Sequence, residues 1–260
     1  MPKSETLQYK ESHLPIKTIL ISQPKPERSA YFDLAKKWNL QIDWRPFIHV
    51  EPVAEREFRK NRIRPEDFSA IIFTSKNSID HFFRICEAMR CDMPQSTKYF
   101  CITKAIADYL QKFIVYRKRK VFVGIRKIED LETSFLKHRE EKFLLPCSNL
   151  GAKDVVSFLE KNNLDYSDAM MFKTVSSDLS DLSNVKYDVL VFFSPLGIES
   201  LYENFPNFSQ KKTRMAIFGN STKSAVERKG LYINILAPLP EVPSMTVALK
   251  NYLKKSNKKS

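Results

Sequence analysis

The chain has 260 residues, 43% of them hydrophobic, enough to bury the cores of two domains of ordinary size. It carries 43 Lys and Arg against 30 Asp and Glu, a formal charge of +13, and no apolar run approaches the length that crosses a bilayer. The opening residues MPKSETLQYKESHLPIK contain no stretch resembling a signal peptide, so a soluble, cytoplasmic protein with no membrane partner is expected.

The charge excess is local. Arg117, Lys118, Arg119, Lys120, Arg126 and Lys127 form one basic block, and Lys250, Lys254, Lys255, Lys258 and Lys259 form another, leaving only +2 elsewhere. Both blocks read as solvated surface, with attraction of an anionic ligand or polymer as the functional alternative. The four cysteines, Cys86, Cys91, Cys101 and Cys147, lack the CxxC spacing of zinc or redox sites and read as reduced core residues. No metal is expected.

In chain order, a leader over 1–17 is expected to be disordered. Thr18 to Ser22 reads as a buried strand and Ser29 to Trp38 as a helix, with Tyr31, Leu34, Ala35 and Trp38 on one face. The segments 41–53 and 165–175 are expected to form a two-strand connector between domains. Ala70–Phe73 and Val189–Phe193 are apolar without alternation, as in strands covered on both faces. Thr74 or Ser75 would cap a helix containing Ile79, Phe82 and Phe83, while Ser194 and Pro195 supply the cap and first-turn proline for one containing Ile198 and Leu201. The tail 254–260 lacks the apolar content to pack and is expected to be disordered.

The chain repeats itself. Ala70-Ile-Ile-Phe-Thr-Ser75 returns as Val189-Leu-Val-Phe-Phe-Ser194, 119 positions later, and Tyr99-Phe-Cys-Ile-Thr103 returns as Met215-Ala-Ile-Phe-Gly219 at 116. A weaker pair, Ile19–Pro24 and Phe143–Ser148, leads in each case into an Asn-Leu pair, at 39–40 and 163–164, 124 positions apart. Three matches near one spacing indicate two similar halves, each alternating strands with helices around a parallel sheet.

P-loop, GxGxxG, GxSxG and HExxH motifs are all missing, which removes the usual residues for nucleotide hydrolysis, nucleotide redox chemistry, serine hydrolysis and zinc proteolysis. His13, His49, His81 and His138 show no metal spacing and read as surface or helix-face residues. The strand-to-helix turns instead hold hydroxyls and amides: Ser22, Gln23, Thr74, Ser75, Asn77, Ser148, Asn149, Ser194, Asn220, Ser221 and Thr222. Each alone is an ordinary cap. Repeated at equivalent turns of both halves, they form a candidate anion cleft, because helix N-termini present free N–H donors and the positive end of the dipole. Gly197 and Gly219 stand at two of these turns, for a backbone bend or a close ligand approach. Gly230 reads as a helix C-cap.

The turns at 72–75, 144–149, 192–197 and 217–222, the Phe-Lys-Thr-Val segment at 172–175 and Ala-Pro-Leu-Pro-Glu-Val-Pro-Ser at 237–244 together resemble the uroporphyrinogen-III synthase family in order and spacing. The resemblance implies two Rossmann-like or flavodoxin-like domains with parallel sheets, the first discontinuous (18–40 with 176–260) and the second at 54–164. It also implies closure of the linear tetrapyrrole hydroxymethylbilane to uroporphyrinogen III, with loss of water, inversion of ring D through a spiro intermediate, and no cofactor. Thr222 and Ser221 would then be the catalytic pair. Ser22, Gln23, Thr74, Ser75, Ser148, Asn149, Ser194, Gly197, Gly219 and Asn220 would bind the substrate's carboxylates. Contact with the deaminase that makes this substrate belongs to the same set of expectations.

The sequence departs from the family pattern at Phe172, where a tyrosine often proposed to assist departure of the hydroxyl is found, leaving Tyr166 or water for that role. Thr103-Lys-Ala-Ile106 loses the family's glycine, and Gln23 replaces a frequent arginine. A non-catalytic tetrapyrrole-binding relative is therefore the second reading, and a nucleic-acid-binding protein the third.

Overall fold

A computed structural model of the chain describes residues 13–182 and 186–257. The chain divides into unit 1, Met1–His49 with Val175–Ser260, and unit 2, Val50–Thr174. In chain order the elements begin with β1 (Thr18–Ile21), α1 (Ala30–Trp38), β2 (Gln41–Trp44), β3 (Ile48–Pro52) and the short α2 (Glu55–Phe58). Unit 2 continues with β4 (Ala70–Phe73), α3 (Lys76–Met89), β5 (Lys98–Cys101), α4 (Lys104–Leu110), β6 (Val121–Val123), α5 (Glu132–Lys137), β7 (Phe143–Ser148), α6 (Lys153–Lys161) and β8 (Tyr166–Ser176). The chain then returns to unit 1 with β9 (Val189–Phe192), α7 (Pro195–Asn204), β10 (Arg214–Phe218), α8 (Asn220–Arg228), β11 (Ile233–Ala237) and α9 (Met245–Ser256).

Each unit holds one sheet. The first runs β11-β10-β9-β1-β2 and the second β6-β5-β4-β7-β8-β3. The two orders correspond strand for strand, β11 to β6, β10 to β5, β9 to β4, β1 to β7 and β2 to β8, which is the topological form of the repeat. The pairs within these five-strand sets are parallel. Within unit 2 the chain lays its strands down as 3-2-1-4-5, so the strand order reverses between β4 and β7. In unit 1 the equivalent reversal lies between β9 and β1.

The uniform apolarity of β4 and β9 follows from two covered faces. Ile71 and Phe73 enter one core cluster and Ala70 and Ile72 another; Val189 and Val191 split in the same way from Leu190 and Phe192. Every one of these residues is buried, and each large apolar side chain contributes about 1.5–3 kcal/mol by leaving water.

The repeated Asn-Leu pairs terminate helices. Asn39 and Asn163 hold left-handed φ values of 50° and 51°, a region asparagine tolerates better than most residues. Leu40 N donates to Ala35 O at 3.0 Å and Leu164 N to Leu159 O at 3.1 Å, and both leucines are buried.

Three expectations need correction. Residues 41–44, read as the start of a connector, form β2 in the ladder of sheet 1, because Thr18 to Ile21 offers them a parallel register from Gln41 to Trp44. Residues 13–17 are not outside the fold: Ile16 is 1% exposed, and its N–H and C=O bond the Asn257 side chain at 2.9 and 2.8 Å. Lys254 and Lys255 lie in the last turn of α9, where cations meet the negative end of the helix dipole. The remainder of the leader and tail lies outside the described residues. Among the described residues no helix is long and apolar enough to cross a membrane.

Candidate functional site

Parallel strands gather their carboxyl ends, and the loops that follow them, along one edge of a sheet. In open α/β sheets the crevice where strand order reverses is the usual ligand position. In unit 2 the residues flanking that point are Thr74–Ser75, after β4, and Ser148–Asn149, where β7 ends. In unit 1 they are Ser194, after β9, and Ser22–Gln23, after β1. The α8 turn, Gly219–Thr222, follows β10, the strand beside β9.

Several of these groups already have partners. Ser75 caps α3 in a reciprocal box: its Oγ accepts from Ser78 N at 3.0 Å while Ser78 Oγ accepts from Ser75 N at 3.2 Å. Ser194 Oγ accepts from Gly197 N at 3.2 Å and caps α7, with Pro195 in the first turn. Ser148 Oγ accepts from Leu150 N at 3.2 Å. Asn149 clamps the β8 backbone, its Oδ1 accepting from Thr174 N at 2.8 Å and its Nδ2 donating to Thr174 O at 3.2 Å. The serine oxygens act as acceptors in these bonds, which leaves each O–H available to donate. Ser22 is buried and Thr74 half-buried, while Gln23, Asn77, Asn220 and Ser221 are exposed.

Helix α8 differs from α3 and α7. Its N-cap is Gly219, and no side chain caps the first turn. Gly219 holds φ 89° and ψ 151°, a conformation closed to L side chains, and its N–H donates to Ala237 O at 2.7 Å. Thr222, in the same turn, is 0% exposed, and its Oγ1 has no hydrogen-bond partner. An uncapped nine-residue helix with a buried orphan hydroxyl at its start is the least satisfied polar feature of either edge, and it attracts an acceptor of negative charge. Gly197 serves a different purpose: a Cβ there would meet Phe192 Cδ1 at 3.1 Å, so it allows α7 to pack on its own strand.

Sequence reading missed His81 and Arg84. Phe172 pairs in register with Ser148, at the carboxyl end of β7, and is buried under the His81 ring, with centroids 5.0 Å apart and planes 18° from parallel. Arg84 donates through Nε to His81 Nδ1 at 3.2 Å, and through Nη2 to Val53 O and Met171 O at 2.8 and 3.0 Å. Because a guanidinium only donates, Nδ1 must accept, which leaves His81 neutral with its proton on Nε2. Burial and then the Arg84 charge hold its pKa below the ordinary value. The signal available in sequence was the i, i+3 spacing of 81 and 84 on one face of a helix. Tyr166, the stand-in considered for Phe172, pairs with Phe143 at the opposite, amino end of β7 and donates to Glu160 Oε1 at 3.3 Å, so it does not reach this edge.

The thiols are free, and burial pushes Cys101 up to about 12 and Cys147 up to about 11. Neither is a nucleophile at neutral pH. Among the described residues no three His, Cys, Asp or Glu side chains group as a metal site.

The uroporphyrinogen-III synthase HemD family model matches residues 34–247. Uroporphyrinogen-III synthase of Chlorobaculum parvum is 21% identical over 252 residues, covering 92% of this chain and all of that protein. Among solved structures, uroporphyrinogen-III synthetase of Helicobacter pylori matches with a TM-score of 0.60 at 16% identity, covering 92% of this chain and 99% of that one. A mutant uroporphyrinogen III synthase of Thermus thermophilus matches with a TM-score of 0.57 at 14% identity over the same shares. At such identities the structural likeness speaks to the fold alone, two α/β domains with parallel sheets. The family model spans most of the chain, and with it the turns after β4, β7, β9 and β10: the chain belongs to the uroporphyrinogen-III synthase family.

Proposed function

We propose that the protein is a uroporphyrinogen-III synthase, closing hydroxymethylbilane to uroporphyrinogen III with loss of water and inversion of ring D. The observation that carries this reading is the uncapped start of α8 with the orphan Thr222 hydroxyl, in a chain of this family. The linear substrate is reactive by itself and closes unaided to the type I isomer, so the protein's task is to hold one folded geometry and to help the hydroxyl leave. Its carboxylates match the α8 amides and the O–H groups that Ser75, Ser148 and Ser194 keep free to donate, and Ser22, Gln23, Thr74, Asn149, Gly197 and Asn220 are assigned to the same edges. Thr222 and Ser221 are assigned to the reacting ring. His81 supplies a neutral Nε2–H donor beside Phe172, which has no hydroxyl of its own.

The test supplies freshly made hydroxymethylbilane and separates the isomers formed. Type III above the spontaneous type I background is expected; type I alone overturns the assignment. Phe172 favours one alternative, a relative that binds a tetrapyrrole without turnover. That reading would hold if uroporphyrinogen III bound tightly while the isomer ratio stayed at the spontaneous value.

A further inference from the structure

The amino edge of sheet 2, opposite the turns described above, holds a cavity of about 480 Å³ between the end of α3, the starts of β5 and β6, and the loop after α4. The volume lies in the range of small-molecule sites, which combine apolar walls with a few placed polar groups. One wall is aromatic: Phe83 and Phe113 stack at 4.8 Å with planes 10° apart, and Tyr99 adjoins them. Phe113 remains 38% exposed and its neighbour Val115 82%, apolar surface with no cover among the described residues.

The polar groups are unsatisfied in a consistent direction. Thr97 lines the cavity, is 2% exposed, and its Oγ1 has no hydrogen-bond partner. Arg117 and Lys120 also line it, and both are half-buried. Nearby Lys98 is paired with Glu141 at 2.6 Å, whereas Arg117 and Lys120 have no carboxylate partner among the described residues. Partial burial lowers the Lys120 pKa, and Arg117, Arg119 and Lys98 lower it further, a mutual repulsion that a bound anion relieves. The carboxylates on the lining, Glu87 and Asp92, are exposed at the rim, where water screens them.

We propose that this cavity is a second ligand site, separate from the tetrapyrrole edge, for a small amphipathic anion: an aromatic or aliphatic body against Phe83, Phe113 and Tyr99, and a carboxylate, sulfonate or phosphate on Arg117, Lys120 and Thr97 Oγ1. It gives a role to part of the basic block at 117–120, the half that turns inward.

The probe is anilinonaphthalenesulfonate, titrated by fluorescence. Wild type is expected to show saturable binding. Arg117→Gln with Lys120→Gln should weaken it about tenfold or more, and Thr97→Val should weaken it by a smaller factor. Lys118→Gln with Arg119→Gln removes the same charge from side chains that do not line the cavity and should leave binding unchanged. N-phenylnaphthylamine, which has the apolar body without the charge, should bind at least about tenfold more weakly than the sulfonate. Equal loss in the two double variants, no loss in the first, or no saturable binding by wild type overturns the proposal. Type III isomer formation by the Arg117/Lys120 variant is expected to match wild type; its loss would place these residues in the substrate site and overturn the separation. Failure of the synthase reading leaves every binding arm intact, so the two outcomes are distinguishable.

Discussion

Thr222 separates chemistry from packing more cleanly than any other residue of the site. Its hydroxyl is buried and unpartnered, so the free protein bears a desolvation cost of about 1–3 kcal/mol for keeping it. Thr222→Val keeps the shape and removes the oxygen. Stability in urea should hold or rise by about 1 kcal/mol, while kcat/KM for type III formation should fall about 100-fold or more, the scale for one lost transition-state donor. Thr222→Ser should recover most of the activity. A valine variant with wild-type activity, or one inactive only because it unfolds, would remove Thr222 from the reaction. The sequence placed Thr222 at a helix start, but neither its burial nor its lack of a partner was visible there, because both depend on what the neighbouring strands cover.

At the scale of elements, α3, α7 and α8 are started differently, and their starts predict different mutational costs. Ser75→Ala removes one arm of a reciprocal cap, Ser75 Oγ with Ser78 N, and leaves the other, Ser78 Oγ with Ser75 N, to hold a turn that has no proline. Ser194→Ala removes a single bond and leaves Pro195 to hold the first turn. Chemical denaturation should show losses within about 0.5–2 kcal/mol for each, larger for Ser75. Equal losses would argue that Pro195 does not hold the first turn of α7. Helix α8 has no side-chain cap to lose. Helix α6, after β7, also starts without a side-chain cap, at Ala152, so it is the orphan Thr222 hydroxyl rather than the missing cap that sets α8 apart.

For the whole molecule, pH offers a test through two half-buried histidines. Burial, then the Arg84 charge, lowers the pKa of His81; burial, then Lys98, lowers that of His138. Below the ordinary value of 6.5 the unfolded chain therefore binds protons that the folded chain refuses. Stability is fully present above that value and falls as pH drops through it toward the folded-state pKa. Glu66 and Glu141 are lowered from 4.5 and act at still lower pH, so the histidines dominate the window between. Thermal melts should show a lower midpoint at about pH 5 than at about pH 7, and a His81→Phe, His138→Gln variant should flatten that slope. An unchanged slope in the variant would show that the rings do not carry it.

Much of the fold was legible from local pattern. The apolar runs at 70–73 and 189–192, the serine caps and the repeated turns depend on neighbours in sequence, and periodicity and turn chemistry report such neighbours directly. The Asn-Leu pairs were visible too, although their meaning as left-handed helix ends was not. Long-range pairing was hidden. Nothing in residues 41–44 says that they add to β1, and nothing in Phe172 says that its ring lies under His81 at the end of β7, because register is a property of two segments together. For the same reason the candidate site was only half readable. The sequence determined which turns carry hydroxyls and amides, since a cap is written in a few adjacent residues. Only the tertiary structure decided which of those groups are already paired, which are buried with a bond unmade, and that a cavity stands at the opposite edge of one sheet, because satisfaction and burial are set by atoms that meet from distant parts of the chain.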